Sequence, residues 1–359
     1  MKTPVRYIKA AAPGLFDSSD RLEQLHKMGD PLAALESVMD WSIFTPVLER
    51  IPRVEPKGPG GRPAYAPLLM FKILVVQSLY GLSDGQAQFQ ILDRRSFHRF
   101  LGLNEADPVP DQNTIREFRE KLTKAGLFEE LFAAFNSRLA DRGFITRKGQ
   151  IIDASFVEVP RQRNKRAENE AIKCGEIPKG WEKDEKRMAH KDLDARWARK
   201  NDQRFFGYKD HVAADLESKL IVRAVVTAAS LHDSRTLDAL TQPGDPQTFL
   251  DSAYTGAACA EILERKGITA QVGEKKTRGG ELTKGQKRSN RAKARKRARV
   301  EHIFGFMTGS MKAMYRRCVG LVRNTAGIVL GNLVYNMART EQIIRLKLLG
   351  RRTPVLLDA

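Results

Sequence analysis

At Gly149 the apolar pattern changes its period, from about 3.6 residues before it to about 2 after it. A chain that switches in this way folds as packed helices first and as a sheet-containing unit second. After the switch, GQIIDASFVEVP, YKDHVAADLES, LIVRAVVTAAS, TFLDSAYTG and ITAQVGEK read as strands. Helices are expected near residues 234–240 and 257–266, between the later strands. The order strand, strand, strand, helix, strand, helix, strand, helix is that of a mixed α/β domain.

Before the switch, short helices are expected over residues 20–28 and 31–48, the second with Leu32, Leu35, Val38, Met39 and Ile43 on one face. PRVEPKGPGGRP, which contains Arg62, reads as a basic loop or linker. APLLMFKILVVQSLYG and SDGQAQFQILDRRSFHRFLG follow as helical segments, with Ser83 as an N-cap. A helix beginning near Asn113 carries the stripe Ile115, Phe118 and Leu122, and another spans 127–142. Arg94, Arg95, His98, Arg99, Arg116 and Arg119 are expected between the apolar positions, either as a recognition surface for DNA or as an ordinary solvated face.

Charge narrows the partners. With 62 lysines and arginines against 43 acids, the net charge of +19 suits a polyanion, nucleic acid first and an acidic membrane surface second. Residues 161–204 hold 14 basic residues against 9 acids, and residues 275–299 hold 12 against the single Glu281. So one-sided a block is a solvated arm in isolation and becomes ordered when phosphates neutralise it. Cys174, Cys259 and Cys318 are too scattered for a disulfide framework or a cysteine zinc site, which fits a reducing cytoplasm. The best apolar run, LLMFKILVV, is short and interrupted by Lys72, and the N-terminus has no signal-peptide core, so no membrane span is expected.

Three acids stand in unusual company. Asp153 follows Ile151 and Ile152, Asp251 follows Phe249 and Leu250, and Glu301 follows the basic block at the edge of an apolar seam, Val300, Phe304, Met307, Met311 and Met314. Singly, each has a plain reading as a turn cap or an ion-pair partner. Together, carboxylates from two strands and a helix in a strongly basic protein suit a divalent metal acting on phosphodiesters.

In these motifs the chain resembles bacterial insertion-sequence transposases of the DDE type, within the insertion sequence four/five group and nearest to type five. The segment from GRPAYAPLL to RFLGL is similar to their N-terminal helical part, and VPDQNTIREFREKL to the part after it. GQIIDASFVEVP resembles the first catalytic strand, FLDSAYTG the second-aspartate motif, and RARVEHIFGFM the glutamate-bearing helix. Gly207, Tyr208, Lys209 and His211 match the strand after the first insertion, and His232 and Asp233 match a following helix start.

The resemblance implies an α/β, RNase H-like catalytic core, a mixed sheet flanked by helices, preceded by an all-α N-terminal DNA-binding region. The expected divisions are a helical segment over 1–58, a DNA-end-binding domain over 59–146, the catalytic domain over 147–345 with basic insertions at 161–204 and 275–297, and a tail over 346–359. It further implies that Asp153, Asp251 and Glu301 are the catalytic, metal-binding residues, taking Mg²⁺ with Mn²⁺ as a substitute. Arg62, Lys293, Arg295, Lys296, Arg297 and Lys312 are the expected DNA contacts. The implied activity is binding of terminal inverted repeats, strand cleavage, and joining of 3′-hydroxyls to target DNA, by a homodimer that holds two ends. A nuclease without joining activity and an inactive DNA-binding descendant are the alternatives. One departure is visible: where related proteins carry tyrosine and lysine on the glutamate helix, this chain has Ala294 and Thr308.

Overall fold

The computed structural model describes residues 14–52, 63–275, 280–350 and 353–357. Arg62 and residues 276–279 lie outside the described residues. Among the described residues, the part before the sheet has eight α-helices: α1 (Asp17–Lys27), α2 (Pro31–Val38), α3 (Thr45–Leu48), α4 (Pro67–Tyr80), α5 (Asp84–Asp93), α6 (Arg95–Leu101), α7 (Gln112–Lys124) and α8 (Leu127–Asp141). Local chemistry sets their ends. The Asp30 carboxylate accepts the Leu32 N–H at 2.9 Å while Pro31 takes the first helical position, where a missing N–H costs nothing. Ser83 and Gln86 form a capping box for α5, and Asp111 caps α7 through the Thr114 N–H.

The helix expected over 31–48 is three pieces, because Met39 is extended and the Asp40 side chain opens a separate 3₁₀ turn at Trp41–Phe44. The helix expected over 84–101 likewise breaks at Arg94, which is extended. The arginines of this region are more engaged than their sequence pattern suggests. Arg99 pairs with the buried Asp30 and Arg119 with Asp84, while Arg94 lies over the Tyr80 and Phe97 rings. Arg99 and Arg119 tie helices to one another, while Arg94, Arg95 and Arg116 remain exposed, Arg95 donating to Ser18.

The sheet follows: β1 (Gln150–Glu158), β2 (Arg196–Lys200), β3 (Gln203–Asp215), β4 (Ile221–Ala228), β5 (Thr248–Leu250) and β6 (Ala270–Val272). Its order is β2-β3-β1-β5-β6, with β4 also on β3. β1, β3 and β4 are antiparallel in sequence, whereas β5 pairs parallel with β1 and β6 parallel with β5. An antiparallel meander joined to two parallel strands is the RNase H-like arrangement. Gly207 permits the tight β1–β3 pairing, since its φ is +147° and a Cβ there would meet the Val157 carbonyl at 2.3 Å.

Partners across β1 and β3 share a face, so Ile151 and Ala214 join one core while Ile152 and Ala213 join another. The second core is covered by α11 (Leu237–Leu240) and α12 (Ala257–Arg265). The first is covered by α15 (Leu321–Arg345), which also packs on α2, α4, α7 and α8, so one apolar cluster runs from Leu32 to Leu356. Buried amides lock this junction. Asn336 donates to the Ile221 carbonyl and accepts the Ile221 N–H, both at 2.8 Å, and donates to Asn136 at 2.9 Å. Unpaired, such groups would each cost about 1–3 kcal/mol.

Both basic insertions carry structure. The first contains α9 (Arg166–Lys173), α10 (Glu185–His190) and β2, although its sequence lacks an apolar period. Polar anchors order it: Tyr208 donates to both oxygens of buried Asp192, which also accepts the Ala195 and Gly320 N–H groups. The second, expected as an arm, forms α13 (Lys284–Arg297), started by a Thr283–Gln286 capping box. A 3₁₀ turn, Ala298–Val300, leads to α14 (Glu301–Gly309). The apolar seam expected to run unbroken to Met314 leaves the helix at Gly309, a poor helix former, and the Ala313 N–H folds back onto the Met307 carbonyl at 2.8 Å. Among the described residues no single helix is long and apolar enough to cross a membrane.

Candidate active site

β1 is the central strand, and β5 pairs with it only at Gln150 and Ile151 before ending at Leu250. The chain therefore leaves the sheet beside Asp153, and Asp251 is the first residue past the strand. Its Oδ1 accepts the Ala253 N–H at 2.7 Å, capping the 3₁₀ turn Ser252–Tyr254. That local bond fixes the carboxylate next to Asp153, and the strand expected over TFLDSAYTG stops at the acid itself.

Asp153 is half-buried. Its Oδ1 accepts the Ala154 N–H at 2.8 Å and its Oδ2 accepts from Arg297 Nη2 at 3.0 Å. Burial pushes its carboxyl above the ordinary carboxylate value and the Asp251 charge adds to that, while Arg297 and the Ala154 N–H pull it down without fully offsetting the rise. Two neighbouring carboxylates, each held by a backbone N–H, form an oxygen-donor pair suited to a hard divalent cation.

The basic helix α13 lies against the ends of β5 and β6. Lys293 donates to the Val272 carbonyl at 2.9 Å and sits 3.7 Å from Glu274. Lys296 lies over the Phe249 ring at 4.7 Å with its side chain otherwise exposed, and Arg295 is exposed. Arg297 reaches inward to Asp153. Of the expected DNA contacts, then, Arg295 and Lys296 face solvent while Lys293 and Arg297 are engaged with the protein. Lys312 is exposed but lies off the Glu301 helix, in a turn with φ +53° beside Gly81 at the end of α4.

Glu301 opens α14, four residues after Arg297, with its carboxylate exposed and, among the described residues, no hydrogen-bond or ion-pair partner. Asp153 and Asp251 are brought together; Glu301 stands apart. Among the described residues no group of three or more His, Cys, Asp or Glu side chains closes on one point.

Behind the pair sits a second polar group. Lys209 donates to Asp233 at 2.7 Å and to the Leu231 carbonyl at 2.8 Å, and it lies over the Phe156 ring. His211 is fully buried, bonded to Thr227 through Nε2, with burial driving its pKa down to about 4 despite the opposing pull of Asp233. His232 is exposed and caps the 3₁₀ turn Asp233–Thr236.

Sequence reasoning passed over one surface. β2 and β3 form a hairpin whose turn carries Asn201 at φ +54°. Arg199 and Arg204 stand directly opposite across it, beside Trp197, which is 44% exposed and covered by Arg161 at 5.7 Å. Arg199 pairs with Asp202 of the turn at 3.0 Å, while the Arg204 side chain is exposed, a cation that a phosphate could meet. Alternation in RWARK and the Asn201–Asp202 turn were the signals available.

A family model described as Transposase DDE domain matches residues 145–337, more than half of the chain. A second, described as Transposase domain (DUF772), matches residues 20–121. Among solved structures, the cryo-EM structure of the piggyBac transposase synaptic complex with hairpin DNA is similar at a TM-score of 0.43 and 10% identity, over 90% of this chain and 76% of that one.

Proposed function

The chain belongs to the family of transposases with a DDE domain, and on that premise we propose that Asp153, Asp251 and Glu301 are the residues that carry its chemistry. Members of this family bind DNA, cleave and transfer its strands, and depend on a divalent metal; the ion we assign here is Mg²⁺, with Mn²⁺ as a substitute. The observation that carries the reading is the Asp153–Asp251 pair, the first within β1 and the second just past the end of its parallel neighbour β5. Glu301, one helical step beyond Arg297 and without a partner among the described residues, is the carboxylate left to complete the set.

Bound there, the ion would offset the negative charge that builds on a phosphate as its phosphorus is attacked. The chain's own groups prepare for that. The Ala154 and Ala253 N–H groups hold one oxygen of each aspartate, and the second oxygen of Asp153 meets Arg297. Arg297 balances Asp153 until the cation arrives, and is then placed to hold a DNA phosphate. Arg295 and Lys296 on α13 and the arginines of the β2–β3 hairpin offer further phosphate contacts, which position the strand without reading its sequence.

We assign the substrate as the terminal inverted repeats of a bacterial insertion sequence of type five. Water attacks the phosphodiester at the element end and releases a 3′-hydroxyl; that hydroxyl then attacks a target phosphodiester, forming the new bond as the target strand breaks. The helices of 59–146 are assigned to end binding, and two copies to holding two ends. The test uses Asp153→Asn and Asp251→Asn with end DNA and, separately, with pre-cut ends and a target plasmid. Both variants should bind ends yet neither cleave nor join them. Cleavage retained in Asp251→Asn would sink the assignment, and a wild-type protein that cuts ends but never inserts pre-cut ones would be a nuclease.

A further inference from the structure

Past α14 the chain runs back along the end of β1. The Glu158 N–H donates to the Met314 carbonyl and the Arg316 N–H to the Glu158 carbonyl, both at 2.9 Å, so residues 314–316 extend the sheet in parallel from the strand that carries Asp153. At about 3.3 Å per residue, the extension begins about 17 Å from Asp153 along β1. It forms one wall of a cleft of about 770 Å³ that the α4–α5 turn and α15 also bound.

The charge of this cleft is one-sided. Arg119, Lys312, Arg316 and Arg317 line it, against one carboxylate among the described residues, Asp84. That acid already accepts from Arg119 and, at 2.6 Å, from Gln77, while Lys312 and Arg317 are exposed. Arg316 is half-buried on α15 at Gly327, where a Cβ would come within 1.7 Å of Nη2, and its Nη1 donates to the Gly327 carbonyl at 3.1 Å. A glycine inside a helix costs stability, and here it makes the room that the guanidinium fills. The Nε of Arg316 bonds to nothing, the side chains that bear on its head are Cys318 and Arg119, and no carboxylate pairs with it among the described residues. A cation drawn out of water needs a counter-charge, and the fold provides a seat for this one without providing the acid.

We propose that the cleft binds a backbone phosphate of the DNA strand that reaches Asp153, with the Arg316 guanidinium seated on Gly327 as the contact and Lys312 and Arg317 at the mouth. The inference rests on the reading that DNA is processed at Asp153. Guanidinium donors suit phosphate oxygens, and a contact there sets the register of the strand without reading its sequence.

The test is Arg316→Met in the full chain, which keeps an unbranched side chain and removes the charge. Its thermal midpoint should equal or exceed that of the wild type, because a half-buried cation without a counter-charge is lost. Affinity for end DNA should fall about tenfold, and the slope of log affinity against log salt should become shallower by about 0.9. In end duplexes that carry one neutral methylphosphonate at successive backbone positions, substitution at a single position should weaken the wild type by a similar factor and leave Arg316→Met unaffected. Wild-type affinity in the variant would overturn the proposal. So would a lowered midpoint with losses that track it, which marks a structural arginine, or a methylphosphonate profile that both proteins share. Calorimetry with inorganic phosphate alone separates the sources of the anion: saturable binding that Arg316→Met loses, with no methylphosphonate difference, would make this a small-anion site and overturn the DNA assignment. If the wild type fails to bind end DNA at all, the reading of function falls and takes this one with it; if it binds and the variant binds equally, only the role of Arg316 falls.

Discussion

Arg297 Nη2 lies 3.0 Å from Asp153 Oδ2, joining the last turn of the basic helix to the central strand across 144 residues of sequence. The pair answers how a half-buried carboxylate is tolerated on that strand: a guanidinium balances its charge. In the proposed site it also couples solvent-facing positive charge to Asp153, because α13 carries Arg295 and Lys296 outward and Arg297 inward.

Arg297→Gln removes the main influence that lowers the Asp153 pKa, leaving burial and Asp251 to raise it. Cleavage needs the ionised carboxylate, so the variant's rate should climb with pH over a range displaced upward from that of the wild type. Single-turnover rates across that range decide the matter; a profile parallel to the wild type would contradict it.

On α13 the exposed and engaged cations should behave differently. Arg295→Gln with Lys296→Gln should weaken end binding and reduce the slope of log affinity against log salt by about 0.9 for each phosphate left without its cation, with an unchanged thermal midpoint. Lys293→Gln should lower the midpoint instead, since that ammonium bonds the Val272 carbonyl, and should alter the slope little. Salt titrations and melts of the two proteins test both halves.

For the β2–β3 hairpin, Arg204→Gln removes an exposed cation and should leave stability nearly unchanged. DNA affinity should nonetheless fall. Affinity equal to the wild type would remove the hairpin from the DNA surface.

Legibility divided along physical lines. Asp153 and Asp251 could be read because each follows a pair of apolar strand residues, a local signal. The helix ends at Asp30, Ser83 and Asp111 were legible for the same reason, though only Ser83 was picked out. What stayed hidden depends on distant partners. Arg99 and Arg119 looked like exposed cations because Asp30 and Asp84 lie 69 and 35 residues away. The α13 segment looked unstructured because it has no apolar period, and it is held through Lys293, Lys296 and Arg297 against β6, β5 and β1. Its capping box at Thr283 and Gln286 was the one local signal, masked by the charge around it. The spacing of Met307, Met311 and Met314 extends the apolar seam past Lys312, but the backbone leaves the helix at Gly309.

Asp210 gives a prediction for stability. It is wholly buried on β3, bonded to Asn332 Nδ2 at 3.1 Å, and burial pushes its carboxyl up to about 7. An acid whose folded value exceeds its unfolded one contributes stability in full below about pH 4 and loses it as pH rises to about 7. His211, held neutral, works in the opposite direction, its contribution lost as pH falls from about 6.5 toward about 4. Asp210→Asn keeps the shape and removes the first effect alone. The unfolding free energy of the variant minus that of the wild type should therefore grow more positive from about pH 4 to about pH 7 and level off above. Denaturant unfolding across that range measures it, and a difference independent of pH would contradict the assignment.

The exposed Glu301 is where the three-carboxylate site is most open to refutation, because the fold brings Asp153 and Asp251 together without it. The decisive measurement is single-turnover cleavage of end DNA by Glu301→Gln in Mg²⁺, with binding followed in parallel. Cleavage and joining reduced by about a hundredfold or more, with end binding unchanged, is the predicted result. Cleavage at the wild-type rate would show that the two aspartates act without it and that the three-carboxylate site is wrong.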